Sequence, residues 1–547
     1  MTDADRLLKQ ARINLDAVGI PVDDDELEEM RARGFLDQVQ AFEDYVRTVP
    51  SEPVPDFLEA WGEDIESGPS PTGPVDLDRI AKGTLFGQPS GASDDSDIRY
   101  LGIVDIAGML KRREITSLEL THQVIERISD RDPQLNAFQS VLSEHAVKAA
   151  KRADQEREAG IDLGPLHGVP IAAKDLLAMR GTITTAGSVL FAGRETDYDA
   201  DSVERLESAG AVIVGKTRMS EFAFSPGSNN EHYGPTRNPW NGEHDTGGSS
   251  SGSGAAVADG LVYAALGSDT GGSIRMPAAL CGTVGFKPTF GRVSLHGADS
   301  LAWTLDHLGP LTRTVVDTAL IMNVLAGHDP RDPRTRTVPV PDYTANLNDG
   351  VRGLRIGVLT DDGSGGAMAS DDALDSWHRS LRLLRDQGAE LVDVSLPEME
   401  ALRLTNGSIV RNEAAAFHEA TLVSHFDYYS RFMRQRVMSA YAASPVSYMR
   451  TSQARAVLRK ASERIWDDID VLSTPAMPYD APMLGDPSRN TTFTGPFNTL
   501  GWPAVVVPVS LSSRRLPLST QLVGKPWDDA LVLRVASALE AGRGVVR

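Results

Sequence analysis

Two short clusters of glycine and serine hold the residues whose types and spacing could do chemistry in this chain. The first is Thr246-Gly-Gly-Ser-Ser-Ser-Gly-Ser-Gly254, and the second, a short way downstream, is Gly267-Ser-Asp-Thr-Gly-Gly-Ser-Ile-Arg275. Glycines beside serines let backbone N–H groups approach a ligand closely and take up positive φ, so either cluster could bind an anion or an oxyanion. Taken alone, the first cluster is a flexible loop, the usual role of Gly/Ser tracts. It also contains Gly248-Ser-Ser-Ser-Gly252, a GxSxG match that would make Ser250 the nucleophile of an α/β-hydrolase elbow. That elbow needs a preceding strand, and Asn238-Pro-Trp-Asn-Gly-Glu-His-Asp245 does not have the pattern of one.

A lysine in an apolar setting raises the serine clusters above background. Gly164-Pro-Leu-His-Gly-Val-Pro-Ile-Ala-Ala-Lys-Asp-Leu-Leu177 puts Lys174 at the end of an apolar run. A partly desolvated lysine holds its proton less tightly, and its neutral amine can act as a base. In isolation, a strand-end lysine that reaches water or pairs with Asp175 explains the same pattern. Other chemistries lack support. No GxxxxGK[ST] occurs and no GxGxxG joins a strand to a helix, which argues against nucleotide binding. The eleven histidines are scattered, without HExxH or a Cys/His cluster, so neither a metal nor a cofactor is expected.

Together these residues resemble the amidase signature family. The resemblance rests on Gly247-Gly-Ser-Ser, on the Gly267–Arg275 run with Pro277 and Gly285-Phe-Lys-Pro288 after it, and on Lys174 upstream. It continues through Lys216-Thr-Arg-Met-Ser-Glu-Phe222, Asn238-Pro-Trp240, Leu305-Asp-His-Leu-Gly-Pro310 and Phe497-Asn-Thr-Leu-Gly-Trp-Pro503, covering roughly residues 98 to 545. It implies a Ser-Ser-Lys triad: Ser273 as nucleophile, Ser249 as proton relay after a cis peptide bond from Gly248, and neutral Lys174 as base. The backbone N–H groups of Thr270, Gly271, Gly272 and Ser273 would form the oxyanion hole. Asp269 and Arg275 would hold the shape of that turn, with a plain structural ion pair as the alternative. One departure is Ser251, where the family usually has glycine; a local effect on packing or substrate fit is expected from it.

The elements that must position these residues follow from the rest of the chain. At 547 residues, with 41% hydrophobic and 24% charged residues and a mean hydropathy of -0.23, the composition is that of a large globular enzyme. A net charge of -22 argues against nucleic acid as a partner. The start, Met1-Thr2-Asp3, does not resemble a secretory signal, and no apolar run reaches the roughly 20 residues a membrane span needs. Cytoplasmic location is therefore expected. The single cysteine, Cys281, lies among small apolar residues and is expected to be a buried hydrophobe. Residues 1–66 show helical spacing of apolar positions, with acidic residues outnumbering basic ones by roughly three to one, and are expected to be a solvated acidic helical extension. Residues 67–97 have the Gly/Pro/Ser/Asp composition of a linker, and 98–547 would be the catalytic domain. Within it, Thr116-Ser-Leu-Glu119 is a capping box that opens a helix through about Ser129, and a second helix is expected from about Ser143 to Glu158. Apolar runs at Val169–Ala173, Ala211–Val214, Val262–Leu266, Leu354–Leu359 and Val505–Val509 alternate with helices. That alternation predicts an α/β fold with a large mixed central sheet covered by helices on both faces. The stretch from about Asp361 to Asp470 is mostly helical in pattern.

Substrate choice lives in loops and pocket walls. Met179, Met219, Trp303, Leu305, His307 and Phe493 or Phe497 lie near the family motifs and would favour aromatic or aliphatic amides if they line the pocket. The expected substrate is a small-molecule amide, with anilides and carbamates (urethanes) chemically adjacent. Within the family, the rival is the glutaminase-type A subunit of glutamyl-tRNA amidotransferase, which works with partner subunits. Its relatives usually carry a glutamine after the arginine of the second cluster, where this chain has Met276. Met276 and the acidic extension favour a stand-alone amidase, with a homodimer as the oligomeric expectation. Outside the enzyme class, the alternative is a Gly/Ser-loop binding protein without turnover.

Overall fold

Runs of small and branched apolar residues bounded by glycine and proline make the strands here. In the computed structural model, which describes residues 3–48, 82–89, 97–363, 365, 368–486 and 491–545, they assemble into one 11-stranded sheet. Its strand order is Phe138–Val141, Val212–Thr217, Pro170–Lys174, Ala264–Asp269, His307–Thr312, Val284–Lys287, Ala504–Leu511, Pro517–Val523, Val471–Pro475, Arg355–Asp361 and Glu390–Ser395. Pro170–Lys174 runs parallel to both of its neighbours, and Arg355–Asp361 runs parallel to both of its own. The other pairings are antiparallel, so the sheet is mixed. Every residue of Pro170–Lys174, Val212–Thr217 and Ala264–Asp269 is buried, which requires cover on both faces.

The five apolar runs seen in the sequence all fall on strands, the one from Val262 being displaced towards Asp269. The capping box at Thr116 is present, with Glu119 accepting from the Thr116 N–H at 2.9 Å. Its helix runs on past Ser129 to Leu135 and ends on Asn136 in the left-handed region. The second helix spans Ser143–Glu158. Between residues 361 and 470 four long helical stretches occur (Asp371–Asp386, Met399–His425, Arg431–Met438 and Pro445–Glu463), but Glu390–Ser395 is an edge strand that the helical pattern did not show.

The first Gly/Ser cluster is not a flexible loop. Ser251–Ala258 is a helix in which every residue is buried, packed on the helix Arg275–Cys281 and on the central strands. Small side chains are what let it sit there: a Cβ on Gly252 would lie 2.1 Å from the Ala137 carbonyl oxygen.

Of the expected acidic extension 1–66, residues 1–2 and 49–66 lie outside the described residues, and the described part forms three helices, α1 (Asp3–Val18), α2 (Asp24–Ala32) and α3 (Phe35–Val46). Their apolar faces, with Leu7, Leu15, Met30, Leu36 and Val39, join the main core cluster of the body. Their carboxylates are not simply solvated, as the charge pattern suggested. Glu26 pairs with Arg434 at 2.5 Å, Glu29 pairs with Arg431, and Glu43 accepts from Ser447 at 3.3 Å. The acidic helices thus dock on a cationic face of the same chain. Of the expected linker 67–97, residues 67–81 and 90–96 lie outside the described residues. In the part that is described, Phe86 is buried, packs at a tilt against Trp240 with ring centroids 5.8 Å apart and lies under the Arg543 guanidinium.

If α1 is an integral part of the core, Leu15→Ala should destabilise the protein by about 2–5 kcal/mol. The midpoint of urea unfolding is the measurement, and an unchanged midpoint would show that α1 contributes nothing to the cooperative unit.

Candidate active site

Lys174 ends the central strand Pro170–Lys174 and is fully buried. It neither reaches water nor pairs with Asp175, which faces Lys216 at 3.6 Å. Instead the Lys174 Nζ lies 2.7 Å from Ser249 Oγ, 2.9 Å from Ser250 Oγ and 2.8 Å from Ser268 Oγ. Burial lowers the pKa of this amine to about 7, against the opposing charges of Asp269 and Asp306. A neutral amine has two N–H donors and one lone pair, which matches three hydroxyl neighbours. Ser250 Oγ also lies 3.2 Å from the Ser268 carbonyl oxygen, an acceptor for its proton, so towards Lys174 it accepts. The lone pair is then free to take a proton from Ser249.

The backbone carries Ser249 to this point through close packing. Gly247 N–H donates to Asp245 Oδ1 at 2.6 Å, and Gly248 N–H donates to the Pro226 carbonyl at 2.9 Å. A Cβ on Gly248 would lie 2.2 Å from the Gly227 carbonyl oxygen, so only glycine fits. The Gly248–Ser249 peptide bond is cis, as the family resemblance implied. Ser250 N–H then donates to the Ser273 carbonyl at 3.2 Å and ties the two serine clusters together.

The second cluster folds around a buried ion pair. Arg275 donates to Asp269 from Nε at 3.0 Å and from Nη2 at 2.9 Å, with both side chains fully buried. Its remaining donors reach Gln521 Oε1 at 2.8 Å, the Thr494 carbonyl at 3.0 Å and Asn498 Oδ1 at 2.6 Å. Asp269 also accepts from the N–H groups of Gly272 and Ile274, at 2.7 and 3.1 Å, and from Asn498 Nδ2 at 2.8 Å. Burial alone would raise its pKa, but the charge and hydrogen bonds of Arg275, with Lys287 and Asn498, hold it well below the usual carboxylate range. The pair is therefore structural and also shapes the turn, so the two sequence alternatives merge.

This geometry changes one assignment. The Gly272 N–H, expected in the oxyanion hole, is taken by Asp269. The N–H groups of Thr270, Gly271 and Ser273 remain as candidate donors. The carbonyls of the turn are held from outside: Asn406 Nδ2 donates to the Thr270 carbonyl at 3.0 Å, and Thr494 Oγ1 to that of Gly271 at 2.6 Å. Gly272 has φ +134°, and a Cβ there would meet Thr494 Oγ1 at 2.4 Å. Thr270 Oγ1 donates to the buried Asp306 at 2.6 Å.

A cleft opens at Ser273 and is lined in part by Phe224, Met276, Leu301, Val410 and Arg411. The apolar residues singled out in the sequence do not form it. Met179, Met219, Leu305, Phe493 and Phe497 are buried in the core, and Trp303 is exposed on the surface. His307 is also buried, within reach of the Leu305 carbonyl at 2.6 Å and of Lys287 Nζ at 3.3 Å. Proximity along the chain to a motif did not translate into a pocket wall, because the long helix Met399–His425 and the loop after Glu221 supply that wall instead. Ser251 starts the helix Ser251–Ala258 and shares a hydrogen bond with Thr236 at 3.2 Å, a packing contact away from the lysine. Cys281 is fully buried, and burial raises its thiol pKa. Ser250, Ser268 and Asn498 lie within motifs but were given no contact to the lysine or the ion pair there, and the distant Asn406, Thr494 and Gln521 are site residues outside every motif. Among the described residues no cluster of three or more His, Cys, Asp or Glu is placed to hold a metal ion, and no helix is long and apolar enough to cross a membrane.

The fold and these motifs place the chain in a family of C–N hydrolases. The amidase family model matches residues 119–533, and the chain belongs to that family. The A subunit of the glutamyl-tRNA(Gln) amidotransferase of Chloroflexus aggregans is 39% identical over 475 residues, which cover 81% of this chain and 97% of that protein. A solved chain from an inhibitor-bound vestigial complex, tied to the origins of an s-triazine catabolic enzyme, matches with a TM-score of 0.77 and 33% identity, covering 81% of this chain and 98% of that one. A bacterial aryl acylamidase of the amidase signature family matches with a TM-score of 0.76 and 27% identity, covering 82% of this chain and 97% of that one.

Removing the guanidinium while leaving the carboxylate should be severe here. Arg275→Met is expected to cost about 3–5 kcal/mol, because it strands a buried charge. Adding Asp269→Asn to it should recover part of that loss. Chemical denaturation of the two variants is the check, and a double variant no more stable than the single one counts against the pair.

Proposed function

We propose that this protein hydrolyses an amide-type C–N bond through a Ser273 acyl-enzyme, with Ser249 and Lys174 moving the proton. The observation that carries the proposal is the buried Lys174 amine, with a pKa lowered to about 7 and lying 2.7 Å from Ser249 Oγ. A serine hydroxyl is a weak nucleophile until a base takes its proton. As Ser273 Oγ bonds to the substrate carbonyl carbon, its proton passes to Ser249 while the Ser249 proton passes to the lone pair of Lys174. The resulting oxyanion is met by the N–H groups of Thr270, Gly271 and Ser273. Collapse breaks the C–N bond, and the proton returns through Ser249 to the leaving nitrogen. Water then attacks the ester by the same route reversed, which releases the acid and restores Ser273. The three backbone donors are fixed before reaction, so they stabilise charge without reorganising.

A second reading shares all of this up to the acyl-enzyme. In it the chain is a glutaminase component that releases ammonia for an amidotransferase partner. The likeness to amidotransferase A subunits over 81% of the chain favours it, and among named relatives this support is more direct than that for a stand-alone amidase. The aryl acylamidase and the solved 6-aminohexanoate cyclic dimer hydrolase, with a TM-score of 0.75 at 27% identity, support hydrolysis of other amides. Met276, where these amidotransferase relatives usually have glutamine, lines the cleft and also supports the stand-alone reading. Carbamates belong with the same acyl chemistry. On either reading the expected location is the cytoplasm.

Purified protein should be labelled covalently by a small fluorophosphonate or sulfonyl fluoride, and Ser273→Ala should abolish labelling. Persistent labelling in that variant would move the nucleophile elsewhere. Glutamine-dependent ammonia release, set beside hydrolysis of short amides, anilides and carbamates, separates the two readings.

The base must be neutral, so kcat/KM should rise with pH through about 7 as Lys174 loses its proton. Lys174→Ala should lower turnover by about 100-fold or more and remove that rise. A pH–rate profile unchanged in the variant would eliminate Lys174 as the base.

A further inference from the structure

The cleft at Ser273 carries a feature that the hydrolytic machinery does not use. Its wall holds three guanidinium groups, those of Arg403, Arg411 and Arg436, and among the described residues no aspartate or glutamate lines it. Arg403 is paired with Glu400, at 2.7 and 2.5 Å. Arg411 and Arg436 face no carboxylate among the described residues, and the charges acting on each are those of other arginines. Arg411 is 7% exposed, and its Nη1 donates to Gln38 Oε1 at 3.3 Å. Arg436 lies over the Phe224 ring, 4.3 Å from its centroid.

A buried guanidinium without a counter-ion is an expensive arrangement, and the same site becomes favourable once an anion completes it. Arginine suits a carboxylate because its planar fork matches the two oxygens. A free amino acid fits less well, since its ammonium would lie among cations with no acid to receive it. Gln38 comes from α3, whose buried Leu36, Val39 and Phe42 fix that helix against the body. The N-terminal helices therefore form part of the wall of the cleft as well as its outer cover.

We propose that the cleft binds an amide substrate bearing a carboxylate, with Arg411 as the anion-binding side chain and Gln38 as the positioning residue that holds it. Arg436 completes the cationic wall. The proposal rests on the hydrolase reading above and deepens it by naming the charge of the substrate.

The test compares kcat/KM for butyranilide with that for glutaric acid monoanilide, which carries a carboxylate on the acyl side, and for 4-butyramidobenzoate, which carries one on the amine side. At least one charged amide should exceed the neutral one by about tenfold, and Arg411→Gln should collapse that ratio, as expected for loss of a charge-assisted hydrogen bond. Gln38→Ala, at an exposed helix position, should lower the ratio by about threefold. Equal rates for charged and neutral amides, or a ratio that survives Arg411→Gln, overturn the proposal. An unchanged ratio in Gln38→Ala overturns the positioning role. Butyranilide turnover and fluorophosphonate labelling report separately on the hydrolase reading. If no anilide turns over, calorimetric binding of the two charged amides and butyranilide to Ser273→Ala decides: preferential binding of a charged amide that weakens about tenfold with Arg411→Gln supports the proposal, and no such preference overturns it.

Discussion

The Asp269–Arg275 pair is the constraint on which the catalytic geometry depends. Two fully buried opposite charges are tolerated only when every lone pair and N–H finds a partner, and satisfying them draws three separate pieces of chain together. Asp269 ends a central strand, Arg275 starts a helix, and Thr494, Asn498 and Gln521 arrive from the C-terminal part of the chain. The turn from Thr270 to Ser273 is the loop that this pair closes. Its Thr270 and Gly271 carbonyls are claimed by Asn406 and Thr494, and its Gly272 N–H by Asp269. The same network that stabilises the turn thereby determines which donors it offers.

The neighbouring strand supplies the other half of the chemistry. Lys174 stands between two parallel neighbours in a sheet covered on both faces, so its amine has no route to water. Desolvation makes the neutral form accessible near physiological pH. Three serine hydroxyls then satisfy that form and orient its lone pair. Burial, usually a burden for a lysine, here raises the share of neutral amine near pH 7 while making that amine a weaker base. Ser250, the GxSxG serine, and Ser268 both hydrogen-bond the Lys174 amine and hold it in place.

The N-terminal helices extend this logic outward. Glu26 and Glu29 meet Arg434 and Arg431, so part of the positive charge of the body is neutralised inside the chain. Among the described residues, no carboxylate partners Arg411 or Arg436 on the cleft side. The face thus separates into cations that hold the extension in place and cations turned to the cleft, and Gln38 links the two regions.

Much of this was legible in the sequence, and the boundary has a physical cause. Apolar runs, a capping box and helical spacing are local signals, so five of the eleven strands of the sheet, the helices near Thr116 and Ser143, and the helical character of the extension could be read directly. The spacing of Lys174, Ser249 and Ser273 within their flanking motifs marked the family. Three things depended on the tertiary structure. Gly272 was assigned an oxyanion role because it sits in the motif, but a hydrogen bond to Asp269, formed by the turn itself, takes its N–H away. Met179, Leu305 and Phe497 adjoin motifs yet point into the core, because chain proximity does not fix which side of a sheet or loop a side chain faces. The positive charge of the cleft comes from Arg403, Arg411 and Arg436, and Gln38 reaches the same cleft from the N-terminal helices, none of them within a motif. Periodicity and spacing report what neighbours along the chain can do, whereas the charge balance of a cleft wall is decided by which distant side chains the fold brings to it.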